Sequence, residues 1–256
     1  YEPASVVNGK NGVVISGTPL NNHGGEDYGN VDLTTALTQS INTVWAQVAE
    51  SLGKKTMAKY MDRLGFGRPI DVDLPEDERL ASGPYCRHGG RRVLVEPTDE
   101  CVDIGRTAIG QARLLTTPLQ MAQVAASVAN GGILMRPVIA TRALDADGRT
   151  TLENEPRVQS RVMSRATAEQ ITAMMQKVVQ EGTGTAAALQ GIDVAGKTGT
   201  AEIDIARDIA QPWFIAFAPA DRPRVAIAVT IERVVGGFGG TDAAPIAKAV
   251  MESLLQ

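Results

Sequence analysis

Apolar positions along this chain change their period several times, and each change marks an element. Residues 1–30 are rich in Gly, Asn and β-branched residues, with N-G pairs at 8–9 and 11–12, which predicts short hairpins. From residue 31 the spacing becomes helical: Leu33, Leu37, Val44, Val48 and Leu52 fall on one face, with Asp32 as N-cap and Gly53 as the stop. A second helix follows over residues 55–64 and ends at G-F-G-R-P. Residues 68–107 are charged, contain proline and show little periodicity, so they read as one long loop of the functional or disordered kind.

The remainder alternates helix and strand. Residues 118–129 read as an apolar helix ended by N-G-G, I-L-M-R-P-V-I-A-T-R-A-L as a strand, and residues 166–181 as an amphipathic helix. W-F-I-A-F-A-P and R-V-A-I-A-V-T-I-E-R-V then run apolar or alternate as paired strands do, and residues 242–255 close with a helix. No repeat is visible. The fold class expected is α/β (α+β): one domain with a late antiparallel sheet flanked by helices.

Composition narrows the function. A chain of 256 residues with 43% apolar content can bury a sizeable core. Its net charge is −4, and no basic run exceeds the pairs Lys54-Lys55 and Arg91-Arg92, which argues against a nucleic-acid partner. The longest apolar stretch is interrupted by Gln120, Gln123, Ser127 and Asn130, as befits a buried helix rather than a membrane span. Residue 1 is Tyr and no leader pattern follows it, so a piece of a longer chain or a processed form is expected. Cys86 and Cys101 lack the spacing and His partners of a zinc site. A disulfide, which would place the chain outside the cytoplasm, and two unpaired thiols both stay open. His23 and His88 lie in Gly-rich loops and read as surface residues, leaving no Ser-His pair. No metal or cofactor is expected.

The chemistry concentrates in G-I-D-V-A-G-K-T-G-T-A-E, residues 191–202. Gly191, Gly196, Lys197 and Thr198 complete the G-x-x-x-x-G-K-[ST] pattern of a phosphate loop, while Lys197, Thr198 and Gly199 spell the K-T-G of serine acyl-transfer enzymes. A phosphate loop needs a buried strand before it and a helix beginning at the Lys, whose N-terminus holds the phosphate. Here G-T-G-T-A-A-A-L-Q precedes the motif, and residues 199–212 read as one extended segment. Glu232 is the one acidic residue placed to hold magnesium, yet only about 60 residues follow Lys197, too few for a sheet of βαβ units of roughly 30 residues each. The acyl-transfer pattern is therefore preferred.

Companions of K-T-G extend the pattern. Ser40, Ile41 and Asn42 give S-x-N; L-G-F-G-R-P, A-I-G-Q-A-R-L-L-T-T-P-L-Q-M-A, E-G-T-G-T-A-A, A-G-K-T-G-T-A-E and W-F-I-A-F-A-P follow in order. With these motifs most of residues 30–235 resembles the transpeptidase domain of class B (monofunctional) penicillin-binding proteins of the actinobacterial type. The resemblance implies the penicillin-binding-protein and serine β-lactamase-like fold over residues 1–256. It also implies peptidoglycan stem peptides ending in D-Ala-D-Ala and β-lactam antibiotics as ligands, cell-wall synthesis or division proteins as partners, and an extracytoplasmic domain anchored by an N-terminal membrane helix. Ser40 would relay protons, Asn42 would hold a substrate amide, Lys197 would set positive potential beside Ser40, and Thr198 and Thr200, flanking Gly199, would bind the terminal carboxylate. An extended K-T-G-T-A edge would let the substrate add as a strand, with N–H groups near Thr200 as the oxyanion hole.

One departure stands out. The family's nucleophile belongs to an S-x-x-K that precedes S-x-N, and none lies in the 39 residues before Ser40. Ser5 lacks the Lys, and Ser51 with Lys54 follows Ser40 and spans Gly53. The expectation is that the nucleophile and its Lys lie in a segment absent from this sequence. A non-catalytic penicillin sensor of the same fold and a β-lactamase using Glu96 or Glu100 for deacylation are the alternatives. G-G-F-G-G, residues 236–240, reads as a flexible turn bordering the substrate cleft beside Lys197.

Overall fold

A computed structural model describes residues 1–255 and centres them on an antiparallel sheet formed late in the chain. Its strands are β1 (Ala195–Asp204), β2 (Ile209–Ala218), β3 (Val225–Thr230) and the short β4 (Val234–Val235). They run in the order β1-β2-β3, with β4 pairing the start of β2, so one edge of β1 is left unpaired by strand. The helices are α1 (Leu33–Thr38), α2 (Asn42–Arg63), α3 (Ile104–Ala108), α4 (Pro118–Ala129), α5 (Arg165–Glu181) and α6 (Ala244–Leu255).

Strand alternation sorts the core into two layers. Phe214, Ala216 and Ala218 face Ala247 and Met251 of α6, while Phe217 and Ala195 face Ala125 and Val128 of α4 and Met175 of α5. Phe214 and Phe217 are fully buried, one on each face. The register pairs Lys197 with Ile215 and Thr198 with Phe214. Paired residues share a face, which puts Lys197 on the α4/α5 side and Thr198 on the α6 side.

Several expectations need correction. The helix read across residues 33–52 is two helices: α1 stops at Thr38, capped at its start by Asp32, whose side chain accepts from the Thr35 N–H at 2.7 Å. Gly53 is the non-helical point inside α2 (φ 76°, ψ 160°), after which the helix resumes to Arg63. The N-G pairs are not the hairpin turns. Val13–Ile15 pairs with Thr18–Leu20 across Ser16 and Gly17, both at positive φ (47° and 83°), as a two-residue hairpin loop requires.

The expected strand over residues 133–144 is two short ones, Ile133–Met135 and Arg142–Leu144, with Pro137, which has no N–H to donate, between them. The segment 199–212 is not a single extension either, because the chain reverses at Ile205–Arg207 and Asp208 (φ 52°) to begin β2.

The expected loop over 68–107 holds a hairpin, Gly83–His88 with Arg91–Leu94, turned at Gly89 and Gly90 (φ 56° and 82°). It also holds α3. Cys86 and Cys101 form a disulfide across it, which settles the open choice and uses both sulfurs of the only Cys-containing acidic cluster among the described residues. Lys54 Nζ donates to Asp99 O at 2.6 Å and ties this loop to α2.

The bridge closes a loop of sequence separation 15, so replacing both cysteines by Ser should lower the unfolding free energy by about 3 kcal/mol in urea titrations. An unchanged midpoint would show that the loop is held by its hydrogen bonds alone.

Candidate active site

Two segments 157 residues apart meet where Lys197 Nζ donates to Ser40 Oγ at 2.6 Å. Ser40 is aimed by the way α1 ends. The Ile41 N–H donates to Ala36 O at 2.9 Å and the Ser40 N–H to Leu37 O at 3.2 Å, the paired bonds of a Schellman stop. That stop puts its C′ residue in the left-handed region, where glycine is usual; here Ser40 occupies it at φ 56°. Asn42 begins α2 directly afterwards, and its Nδ2 donates to Asn21 O at 3.2 Å.

Lys197 projects from β1 between Thr198 and an apolar groove of about 240 Å³ whose walls include Leu37, Val124, Val128, Met163, Met175 and Ile215. The residue as a whole keeps some contact with solvent, but its ammonium lies inside, and burial alone pushes its pKa down to about 7. No carboxylate pairs with it among the described residues. Its remaining contacts are Thr198 O at 2.8 Å and Thr198 Oγ1 at 3.4 Å.

Thr198 is buried, and its hydroxyl lies 2.6 Å from that of Thr183. Thr200 Oγ1 accepts from the Gly239 N–H at 3.2 Å. A Cβ at Gly239 would collide with the carbonyl oxygens of Trp213 and Gly199, so only glycine lets residues 236–240 lie against β1. From that loop Phe238 stacks on the exposed His23 ring of the N-terminal segment, with centroids 5.2 Å apart.

The unpaired edge of β1 turns the N–H and C=O of alternate residues outward. Gln111 takes two of these groups: its Nε2 donates to Thr200 O at 3.2 Å and its Oε1 accepts from the Glu202 N–H at 3.3 Å. One side-chain amide thus does the work of a single residue of a neighbouring strand. Before it, the outward N–H groups of Thr198 and Thr200 have no strand partner and stay open to an extended ligand.

The structure gathers Ser40, Lys197 and Thr198 into one hydrogen-bonded group, with Gly199 and Thr200 next along the edge. Asn42 is adjacent in sequence but bonds to Asn21. Gln111, Thr183 and Gly239 were not singled out in the sequence, although their segments belong to recognisable motifs. Which of their atoms meets β1 depends on register, which composition does not carry.

Other candidates fall away. Gly196, Lys197 and Thr198 sit within β1 and no helix begins at Lys197, so no phosphate cradle forms. Lys54 serves Asp99 rather than Ser51, and Ser5 Oγ accepts from the Glu2 N–H. Glu96 and Glu100 are exposed on the disulfide-held loop.

Comparison with known proteins identifies the fold and the family. The model of the penicillin binding protein transpeptidase domain matches residues 1–252. The chain is 33% identical over 248 residues to the peptidoglycan D,D-transpeptidase PbpA of Mycobacterium tuberculosis (strain ATCC 25618 / H37Rv), covering 93% of this chain and 47% of that protein. It is 34% identical over 223 residues to the stage V sporulation protein D of Bacillus subtilis (strain 168), covering 84% of this chain and 33% of that one. The chain thus spans about half the length, or less, of these curated relatives.

Among solved structures, the ceftriaxone acyl-enzyme complex of penicillin-binding protein A from M. tuberculosis superimposes with a TM-score of 0.87 at 30% identity, over 100% of this chain and 57% of that one. The D,D-transpeptidase domain of a peptidoglycan glycosyltransferase from Eggerthella lenta gives 0.84 at 27%, over 100% and 60%. With a family model matching nearly its whole length and relatives at this identity, the chain belongs to the penicillin-binding protein transpeptidase domain family.

Proposed function

We propose that this chain carries the acyl-donor site of peptidoglycan D,D-transpeptidation, taking stem peptides that end in D-Ala-D-Ala and β-lactams that mimic them. The observation that carries this reading is a desolvated, unpaired ammonium beside a hydroxyl on an open strand edge. Lys197 supplies positive potential that draws in the terminal carboxylate, and its neutral form accepts a proton near neutral pH. Thr198 and Thr200 offer hydroxyls to that carboxylate, Thr198 held by Thr183 and Thr200 by the Gly239 N–H. Asn42 orients a substrate amide once it releases Asn21 O.

An extended peptide adds to the edge of β1, and its scissile carbonyl oxygen meets outward backbone N–H groups near Thr200, whose preorganised dipoles stabilise an oxyanion. Gln111 ends the open edge and so limits how far the peptide pairs. The substrate lies outside the cell membrane, where a Cys86–Cys101 disulfide is also at home. No helix among the described residues is long and apolar enough to cross a membrane.

A peptide ending in D-Ala-D-Ala should perturb the amide resonances of Thr198 and Thr200, and Lys197→Met should weaken its binding about tenfold, roughly 1.4 kcal/mol. Equal binding of the L-Ala-L-Ala peptide would contradict the assignment. Removing the Gln111 carboxamide (Gln111→Ala) should speed hydrogen exchange of the Glu202 amide by about tenfold while leaving that of β2 unchanged; unchanged exchange at Glu202 would show that Gln111 does not cap the edge.

A further inference from the structure

We propose that the Cys86–Cys101 disulfide is a redox-sensitive clamp on the substrate edge. Oxidised, it holds Gln111 against β1; reduced, it lets the Gln111 side chain leave and opens Thr200 O and the Glu202 N–H to a longer peptide. The use of the clamp rests on reading the edge of β1 as the place where a peptide pairs.

Gln111 lies between two flanks, one leading from Cys101 and the other paired to the strand that carries Cys86. On the first flank the chain runs from Cys101 through the buried Val102 to Asp103, which caps α3, and the Gln111 N–H donates to Arg106 O at 3.0 Å. On the second, Arg113 O accepts from the Tyr85 N–H at 2.9 Å, and Leu114 and Leu115 pair antiparallel with Pro84 and Gly83. The disulfide therefore closes a ring made of the strand Gly83–His88, its partner Leu114–Leu115, Gln111 and α3.

The backbone inside this ring is strained. Gly110 and Ala112, on either side of Gln111, both take positive φ, 78° and 60°, and for a residue with a Cβ such a conformation persists only where the surroundings over-determine it. The two flanks supply that constraint. They aim the carboxamide so that Nε2 donates to Thr200 O at 3.2 Å and Oε1 accepts from the Glu202 N–H at 3.3 Å.

The flanks are unequally secured. α3 is fixed without the disulfide, since the Arg106 guanidinium donates to Ile15 O, Thr18 O and Pro19 O. The strand Gly83–His88 belongs to a small three-stranded sheet whose far strand, Arg91–Leu94, is exposed throughout. Breaking the disulfide frees this flank to move against α3, Ala112 relaxes, and the Gln111 carboxamide loses its aim.

A dithiol is the reductant the step requires. One of its thiolates bonds to the half-buried Cys101 Sγ, the S–S bond breaks, and the electron pair leaves on the buried Cys86 Sγ, which takes a proton. The second thiol of the reductant gives up its proton and attacks the reductant's own sulfur in the mixed disulfide, so that Cys101 departs and is protonated. The dithiol ends as a disulfide and the protein holds two thiols.

Amide hydrogen exchange of the 256-residue chain and of Gln111→Ala, each oxidised and in dithiothreitol, tests the clamp. Reduction should speed exchange of the Glu202 amide about tenfold in the wild type and leave it unchanged in Gln111→Ala, where the cap is already gone. Reoxidation should restore slow exchange, which separates the switch from misfolding, and the paired substitutions Cys86→Ser and Cys101→Ser should give fast exchange without a reductant. A peptide ending in D-Ala-D-Ala should shift the Glu202 amide resonance in the reduced chain only, and those of Thr198 and Thr200 in both states. Unchanged Glu202 exchange on reduction would overturn the proposal, and so would equal acceleration in Gln111→Ala, which marks a general loosening of the fold. Reduction that acts through Gln111 while the peptide shifts no edge amide in either state would uphold the clamp and overturn the peptide reading of the edge.

Discussion

A buried ammonium group with no carboxylate beside it among the described residues is the costly feature around which this domain is arranged. Desolvating a charge is unfavourable unless hydrogen bonds offset the loss, and for Lys197 they come from Ser40 Oγ and Thr198 O at 2.6 and 2.8 Å. Both partners depend on elements far from each other in sequence. The α1 helix must end after Thr38 for Ser40 to turn inward, and β1 must be an edge strand for the Thr198 carbonyl to be free. The walls that exclude water come from α1, α4, α5 and β2 together. The packing that buries the ammonium therefore also lowers its pKa.

Edge strands invite pairing with other chains, and this one is managed unevenly. Gln111 covers Thr200 O and Glu202 N, and Gly239 brings a loop down onto Gly199, while the stretch around Thr198 is left accessible. An edge closed at one end and open at the other limits how far the proposed peptide substrate could pair. The lone cation at the open end favours a ligand with a free carboxylate. A β-lactam meets the same constraints in compact form, which relates the proposed peptide substrate to the drug complexes known among structural neighbours.

Legibility in the sequence followed local physics closely. Helices with a capping residue and a long apolar face were placed to within a residue or two: α4 begins at Pro118 after Thr117, α5 at Arg165 after Ser164. The late strands were evident from their apolar runs. The break between α1 and α2 was not, because the residue in the left-handed position is Ser40 and the visible glycine, Gly53, lies farther along. The hairpin at Gly89 and Gly90 was hidden by charged flanks, and it is tied to the rest of its loop by a disulfide whose pairing two isolated cysteines do not announce. The motifs drew attention to Ser40, Asn42 and the K-T-G-T residues, and of these the fold joins Ser40, Lys197 and Thr198 by hydrogen bonds while Asn42 bonds Asn21. Gln111, Thr183 and Gly239 act by reaching across the fold, and nothing in their neighbours along the chain reveals that.

The account stands on the state of one amine. Selective ¹³C labelling of lysine and NMR titration of the Lys197 side chain, assigned with a Lys197→Met control, measures it directly. A midpoint near 7 is predicted, because burial opposes the charge and no carboxylate restores it. A midpoint near the ordinary lysine value of about 10.4 would mean that the ammonium is solvated and stays charged at neutral pH, and the site would lack the desolvated amine on which the reading rests.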